Sequence, residues 1–493
     1  MTKRATFLAL GIAALAGPAA AQRRADPLAG LDAWIDQVRT EFHIVGMAVG
    51  IVYHDSLVYA RGFGLREAGK PAPVTPNTVF AIGSNTKSFT TTAAAMLADD
   101  GKIRWNDKVT RWLPDFELFD PYVTREITLR DVMSHRSGLG RRGDALWYGT
   151  KYSRGEILRR IRFLEPNAGF RTEMGYQNIM FLAAGEAIGA AAGTGYDELI
   201  RTRIFGPLGM TSSSMSIADL GRQSDVSQPH NLADGAASVI PWRNIDNIGP
   251  AGSINSNLID MAAYLRFHLG NGTYRGTKLV SAANLGVTKT PHINIGGVGD
   301  SLTHFQAYGL GWVLQDYRGR RIAWHNGGID GMLSEMWTVP EEGLGIVVLT
   351  NTAPHSAGPI VVRNIVDRYL IGKPAKDYLA EGLAAARRME TAQAAQVAQR
   401  EAARLKDTKP SVEFAKYAAT YVDSLYGEIT IRAAGEGLEI GWQGNWAPLH
   451  HWHLDQFRGE ILPGQDVMVS FRIDPSGKVT EAELESLGTF RRR

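Results

Sequence analysis

The chain contains no cysteine, which excludes thiolate nucleophiles, disulfide staples and cysteine-ligated zinc. Net charge is small as well, with 53 Lys and Arg against 50 Asp and Glu. Lys3 and Arg4 supply two of the +3 formal charges, so removal of an N-terminal leader leaves +1 and nothing points to a nucleic-acid surface. Beyond the N-terminus no apolar run is long enough to cross a bilayer. At the N-terminus, Lys3 and Arg4 precede the apolar stretch ATFLALGIAALAG and then Pro18-Ala19-Ala20-Ala21 before Gln22. That run is short for a membrane span and reads as a secretory signal, residues 1–21, cleaved after Ala21. The expectation is a periplasmic or secreted protein with no stable membrane span after signal removal.

What is present is a soluble globular composition, 44% hydrophobic and 21% charged, over 493 residues, enough for two or three domains. Residues 22–375 mix short β-like runs with amphipathic helical stretches. AVGIVYHDSLVYARGFG reads as a hairpin with His54-Asp55-Ser56 near its turn, and WHNGG, MLSEMWTV and LGIVVLTN read as strands late in the domain. Strands at both ends imply a sheet in which the first and last strands meet, flanked by helices, with a separate helical region and the site between the two. Residues 376–407, rich in Ala, Gln and Arg, read as an exposed helical connector. Residues 408–493 carry short strand patterns and the turn PSGK, as a small barrel or sandwich would.

Three segments bear chemistry. In VFAIGSNTKSFTTTAAAML, Gly83 precedes a predicted helix from Thr86 to Leu97, and Ser84 and Lys87 lie one turn apart on one face. The helix N-terminus disfavours a second positive charge, so the Lys87 pKa is expected to fall and its amine to serve as a general base toward Ser84. In GYQN, the Tyr176 hydroxyl can pass a proton if an ammonium lowers its pKa, and the Asn178 amide can bind a substrate carbonyl. In RRIAWHNGG, the glycines after His325 and Asn326 let a substrate backbone approach closely, and leave an N–H free for an oxyanion. Each segment alone also fits a plain structural role: a helix cap, a buried tyrosine, a tight turn.

Their order along the chain resembles the serine β-lactamase and penicillin-binding-protein superfamily, on the side of class C β-lactamases, D-alanyl-D-alanine carboxypeptidases, D-aminopeptidases and related esterases. The resemblance extends over residues 30–370 and includes ITLRDVMSHRSGLG, YDELIRTRIFGPLGMTSS, GPAGSINSNLIDMAAYLRFHLGNG and YGLGWVL. It implies an α/β (α+β) fold, with a β-lactamase/transpeptidase-like antiparallel sheet, flanking helices and a helical subdomain. A lipocalin-like or sandwich β domain follows, of a kind often appended to this branch. It also implies Ser84 as the acylated nucleophile, Lys87 as its base, Tyr176 as proton relay and Asn178 as substrate ligand. His325, Asn326, Gly327 and Gly328 would form the substrate-binding strand, with the N–H groups of Ser84 and Gly328 as oxyanion hole. No metal and no cofactor is required. His325 stands where related enzymes have a lysine for the substrate carboxylate, so the grip on penicillins should weaken. The expected substrate is a small molecule or short peptide cleaved at an ester or amide, D-amino-acid peptides and β-lactams among the candidates. The alternative is a covalent-binding or scaffold module with little turnover.

Other candidates are weaker. His135, in SHRSG, would be redundant beside Ser84 and Lys87. His451 and His453 could face one side of a strand as metal ligands, but Trp446 and Trp452 around them fit packing better. Asp330 is expected to cap a turn, and Glu173 to be structural. The C-terminal domain could bind a ligand or plug the cleft.

Overall fold

The computed structural model describes residues 26–296, 301–462, 465–485 and 487–493. The expected signal segment lies outside them. An eight-stranded antiparallel sheet runs in the order Ser56–Gly64, Gly46–Tyr53, Leu344–Thr350, Met332–Val339, Arg320–Ile329, Val313–Tyr317, Gln306–Tyr308, Ile293–Asn294. The first and last long strands pair as expected, Met47 opposite Thr350 through Tyr53 opposite Leu344.

Period-two alternation explains why these strands are buried on both faces. Met47, Val49 and Ile51, with Leu344, Ile346 and Val348, pack against the helices Leu31–Glu41 and Ala357–Ile371. Ala48 and Val52, with Val347 and Leu349, face the other core, formed with the helices Thr86–Asp99 and Leu258–Leu269. Gly50 lets Leu258 close onto the strand, since a Cβ there would lie 2.9 Å from its side chain. Beyond the Thr86–Asp99 helix lies the helical region, including the helix Asn178–Ala192 that buries Ile179 through Gly185.

The exposed helix Tyr378–Ala402, capped by the Asp377 side chain, leads to the C-terminal strands. These close into an eight-stranded barrel, Ala419–Asp423 pairing with both Gly427–Ala434 and Gly488–Arg492. The barrel is thus the correct alternative and the sandwich is not. Its interior is filled by rings: Tyr417 packs against Phe457 and Phe471, with centroids 5.5 and 4.9 Å away. Tyr426 and Phe490, 6.3 Å apart, are also fully buried. Among the described residues, no helix is long and apolar enough to cross a membrane.

Candidate active site

Ser84 sits in the single 3₁₀ turn Gly83–Asn85, which runs directly into the helix Thr86–Asp99, so Lys87 lies in its first turn. Lys87 is wholly buried, whereas Ser84 stays half-exposed at a cleft of about 490 Å³. Lys87 Nζ lies 2.9 Å from Ser84 Oγ, 2.8 Å from Asn178 Oδ1 and 2.8 Å from the Ala251 carbonyl. Burial holds the Lys87 pKa well below its ordinary value; Arg141 adds to this and Asp144 opposes it. The sequence reading gives the helix N-terminus as cause, but loss of solvation is the larger one.

A neutral amine has two N–H bonds and one lone pair. Asn178 Oδ1 and the Ala251 carbonyl can only accept, so they take both N–H groups and leave the lone pair for the Ser84 hydroxyl. The Asn178 amide is fixed in this sense because its Nδ2 donates to Asp144 Oδ1 at 3.1 Å. Asp144 is held in turn by Trp147 Nε1 at 2.8 Å. Asn178 therefore departs from its expected role. It lines the cleft, but both ends of its amide are engaged inside the protein, and it orients Lys87.

Tyr176 faces the same centre, its ring 4.8 Å from Lys87 Nζ. Burial raises its pKa, and hydrogen bonding to Ser84 only partly offsets this. The expected lowering is thus overturned, because burial outweighs the Ser84 hydrogen bond and the Arg141 charge that act against it. Tyr176 remains a phenol and can donate a proton.

The glycine strand forms another wall. Gly327 is obligatory there, since a Cβ would come within 1.9 Å of the Ile82 carbonyl. Gly83, in the left-handed region at φ 51°, lies close to the Gly328 backbone, where a Cβ would meet its nitrogen at 2.6 Å. Ser84 and Gly328 are thereby brought to one side of the cleft. Asn326 and Gly328 are exposed on this strand, but His325 is only 2% exposed. Its Nδ1 lies 2.5 Å from the Asn326 carbonyl and its Nε2 3.0 Å from the Tyr308 hydroxyl, so the ring donates to the first and accepts from the second. Burial drives its pKa down to about 3. His325 is a neutral positioning group for Tyr308, not a waiting cation.

His135 is also fully buried and held neutral, chiefly by burial. Its Nδ1 accepts from the Gln177 N–H at 3.2 Å, and its ring packs 4.2 Å from that of Tyr176. Asp330 does not cap a turn. It binds Arg243 and accepts from the Tyr148 hydroxyl at 2.8 Å, clasping two loops beside the cleft. In the barrel, His451 Nε2 lies 2.8 Å from the Leu454 carbonyl and His453 Nδ1 accepts from the Leu405 N–H at 3.0 Å. Among the described residues no cluster of three metal-binding side chains occurs.

Sequence reasoning missed Arg141, Asp144, Trp147 and the Ala251 carbonyl. The first three stand in the loop after SGLG, and the carbonyl in GPAGS, where only overall likeness gave a signal. The barrel touches the outer side of that loop. The Tyr426 hydroxyl donates to the Arg142 carbonyl at 2.6 Å, and the Tyr152 hydroxyl to the Tyr426 carbonyl at 2.9 Å. Among the described residues lining the cleft none belongs to the barrel, so it buttresses the loop and does not plug the site.

Residues 31–367 match the Beta-lactamase family model, and residues 403–491 match a domain of unknown function, DUF3471. The chain is 31% identical to unguisins hydrolase ungD' of Aspergillus campestris over 362 residues, 70% of this chain and 66% of that protein. It thus spans somewhat under two thirds of that relative's length. Penicillin-binding protein 4 of Amycolatopsis lactamdurans is 28% identical over 64% of this chain and 83% of its own. The fold resembles that of the octameric penicillin-binding protein homologue from Pyrococcus abyssi, with a TM-score of 0.64 and 21% identity, covering 93% of this chain and 98% of that one. The chain belongs to the beta-lactamase family, whose members include hydrolases and penicillin-binding proteins.

Proposed function

We propose that the protein is an exported serine hydrolase, cleaving an ester or amide through an acyl-enzyme on Ser84. The observation that carries this reading is the buried Lys87 Nζ 2.9 Å from Ser84 Oγ, with both its other polar neighbours able only to accept and its pKa lowered by burial. Lys87 takes the Ser84 proton as Oγ attacks the carbonyl carbon. The Ser84 and Gly328 N–H groups receive the developing oxyanion. Tyr176 gives its proton to the leaving group and regains one from the Lys87 ammonium, which restores the neutral amine. Water then attacks the acyl carbon by the same relay in reverse. The names of the relatives, an unguisins hydrolase and a penicillin-binding protein, support hydrolysis and keep penicillins among the candidate ligands. With His325 buried and neutral, the strand presents no cation to a penicillin carboxylate, which favours other esters and amides.

The test is intact-mass spectrometry of the mature protein with p-nitrophenyl acetate, a D-alanyl amide and a penicillin, beside Ser84→Ala. An adduct on the native protein alone, with product accumulating over many equivalents, is expected. A persistent adduct without turnover points to the covalent-binding alternative, and no adduct with any substrate overturns the reading.

A further inference from the structure

Among the described residues lining the cleft, Arg141 is the one permanent cation, since arginine keeps its charge in any protein environment. Its guanidinium lies 4.6 Å from the Tyr176 ring centroid, and the side chain is exposed to the cleft mouth. Neighbouring arginines are all taken. Arg136 and Arg171 pair with Asp131, Arg243 pairs with Asp330, and Arg142 reaches the Leu487 carbonyl. Asp144 of the same loop is occupied by Asn178 and Trp147. Arg141 has no carboxylate partner among the described residues.

The backbone that carries Arg141 is pinned on both sides. The Gly140 carbonyl accepts from Gln177 Nε2 at 2.5 Å, and the Arg142 carbonyl accepts from Tyr426 at 2.6 Å. A solvated surface arginine needs no such frame. A charge fixed over the proton-relay tyrosine is suited to an anion that arrives with the substrate, and arginine matches a carboxylate bidentately.

We propose that Arg141 binds a carboxylate of the substrate, so that the preferred esters or amides are anionic ones gripped from the Tyr176 wall and not from the strand. This rests on the Ser84 hydrolase reading. The test compares kcat/KM within two matched ester pairs. The acyl-side pair is p-nitrophenyl hexanoate and mono-p-nitrophenyl adipate, and the leaving-group pair is phenyl acetate and 4-acetoxybenzoate. The native protein should favour the carboxylate in one pair by about tenfold, the worth of a charge-assisted hydrogen bond at a partly exposed site. Arg141→Ala should erase that preference and Arg141→Lys should restore part of it. Taking the ratio within a pair removes any effect of Arg141 on Lys87. Turnover without a carboxylate preference, or a preference that survives Arg141→Ala, overturns the proposal alone. Absence of Ser84-dependent turnover of all four esters overturns the hydrolase reading beneath it.

Discussion

Replacing Asn178 by Ala separates its two possible roles. The side chain supplies the acceptor 2.8 Å from Lys87 Nζ and the donor 3.1 Å from Asp144 Oδ1. Without it, Lys87 keeps only the Ala251 carbonyl as a fixed acceptor, and its lone pair is no longer constrained toward Ser84. Loss of one buried hydrogen-bond partner costs about 1–3 kcal/mol. If that cost falls on the transition state, acylation slows by roughly five- to 150-fold. The assay is pre-steady-state release of p-nitrophenol from p-nitrophenyl acetate. That substrate has no amide for Asn178 to grip, so a substrate-binding role leaves its rate intact while weakening an acylamino substrate. A fall in the acylation rate for both, with little change in KM for the ester, is expected. An unchanged p-nitrophenyl acetate rate would refute the reasoning and return Asn178 to the role read from sequence.

Gly327→Ala should abolish activity and lower the melting temperature, because its Cβ meets the Ile82 carbonyl at 1.9 Å. Gly328→Ala meets only the Leu333 side chain, at 2.9 Å, and should fold. Circular-dichroism melts of both variants check this. Glu335 is fully buried beside Trp337, and its pKa is raised by burial from 4.5 to about 8. A raised folded-state pKa favours the folded protein fully below the unfolded value, and that contribution is lost as pH rises through about 8. The native protein should therefore lose more stability than Glu335→Gln between pH 5 and pH 9 in denaturant titrations, and equal losses would count against it. Tyr426→Phe removes the barrel's donor to the Arg142 carbonyl, worth about 1 kcal/mol, and should raise KM roughly fivefold in steady-state assays while leaving Ser84 acylation competent. An unmoved KM would mean that the barrel does not tune the loop.

The parts of this fold that sequence makes legible are those written in local pattern. The two-residue alternation in AVGIVY and LGIVVLT carries both faces of the central strands, and Thr86–Leu97, free of Gly and Pro, announces its helix. Ser84 and Lys87 are legible because their contact spans one helical turn. Asp144, Asn178 and the Ala251 carbonyl meet only through the tertiary fold, with the Asn178–Asp144 contact joining residues 34 apart in sequence and the Lys87–Ala251 contact joining residues 164 apart. The role of His325 is hidden for a related reason. Its residue type suggests a titrating group at the cleft, but Tyr308, reached across the neighbouring strands, draws it into the interior. Burial also decides the pKa directions of Lys87 and Tyr176, and no single segment encodes burial.

The most direct test of the neutral-lysine account is a nuclear magnetic resonance titration of the protein with isotope-labelled lysine side chains, Lys87 being assigned by its loss in Lys87→Met. The Lys87 resonance should titrate well below the surface lysines and coincide with the acid limb of Ser84 acylation. A Lys87 resonance that titrates together with the surface lysines, near the ordinary value of 10.5, would contradict the account.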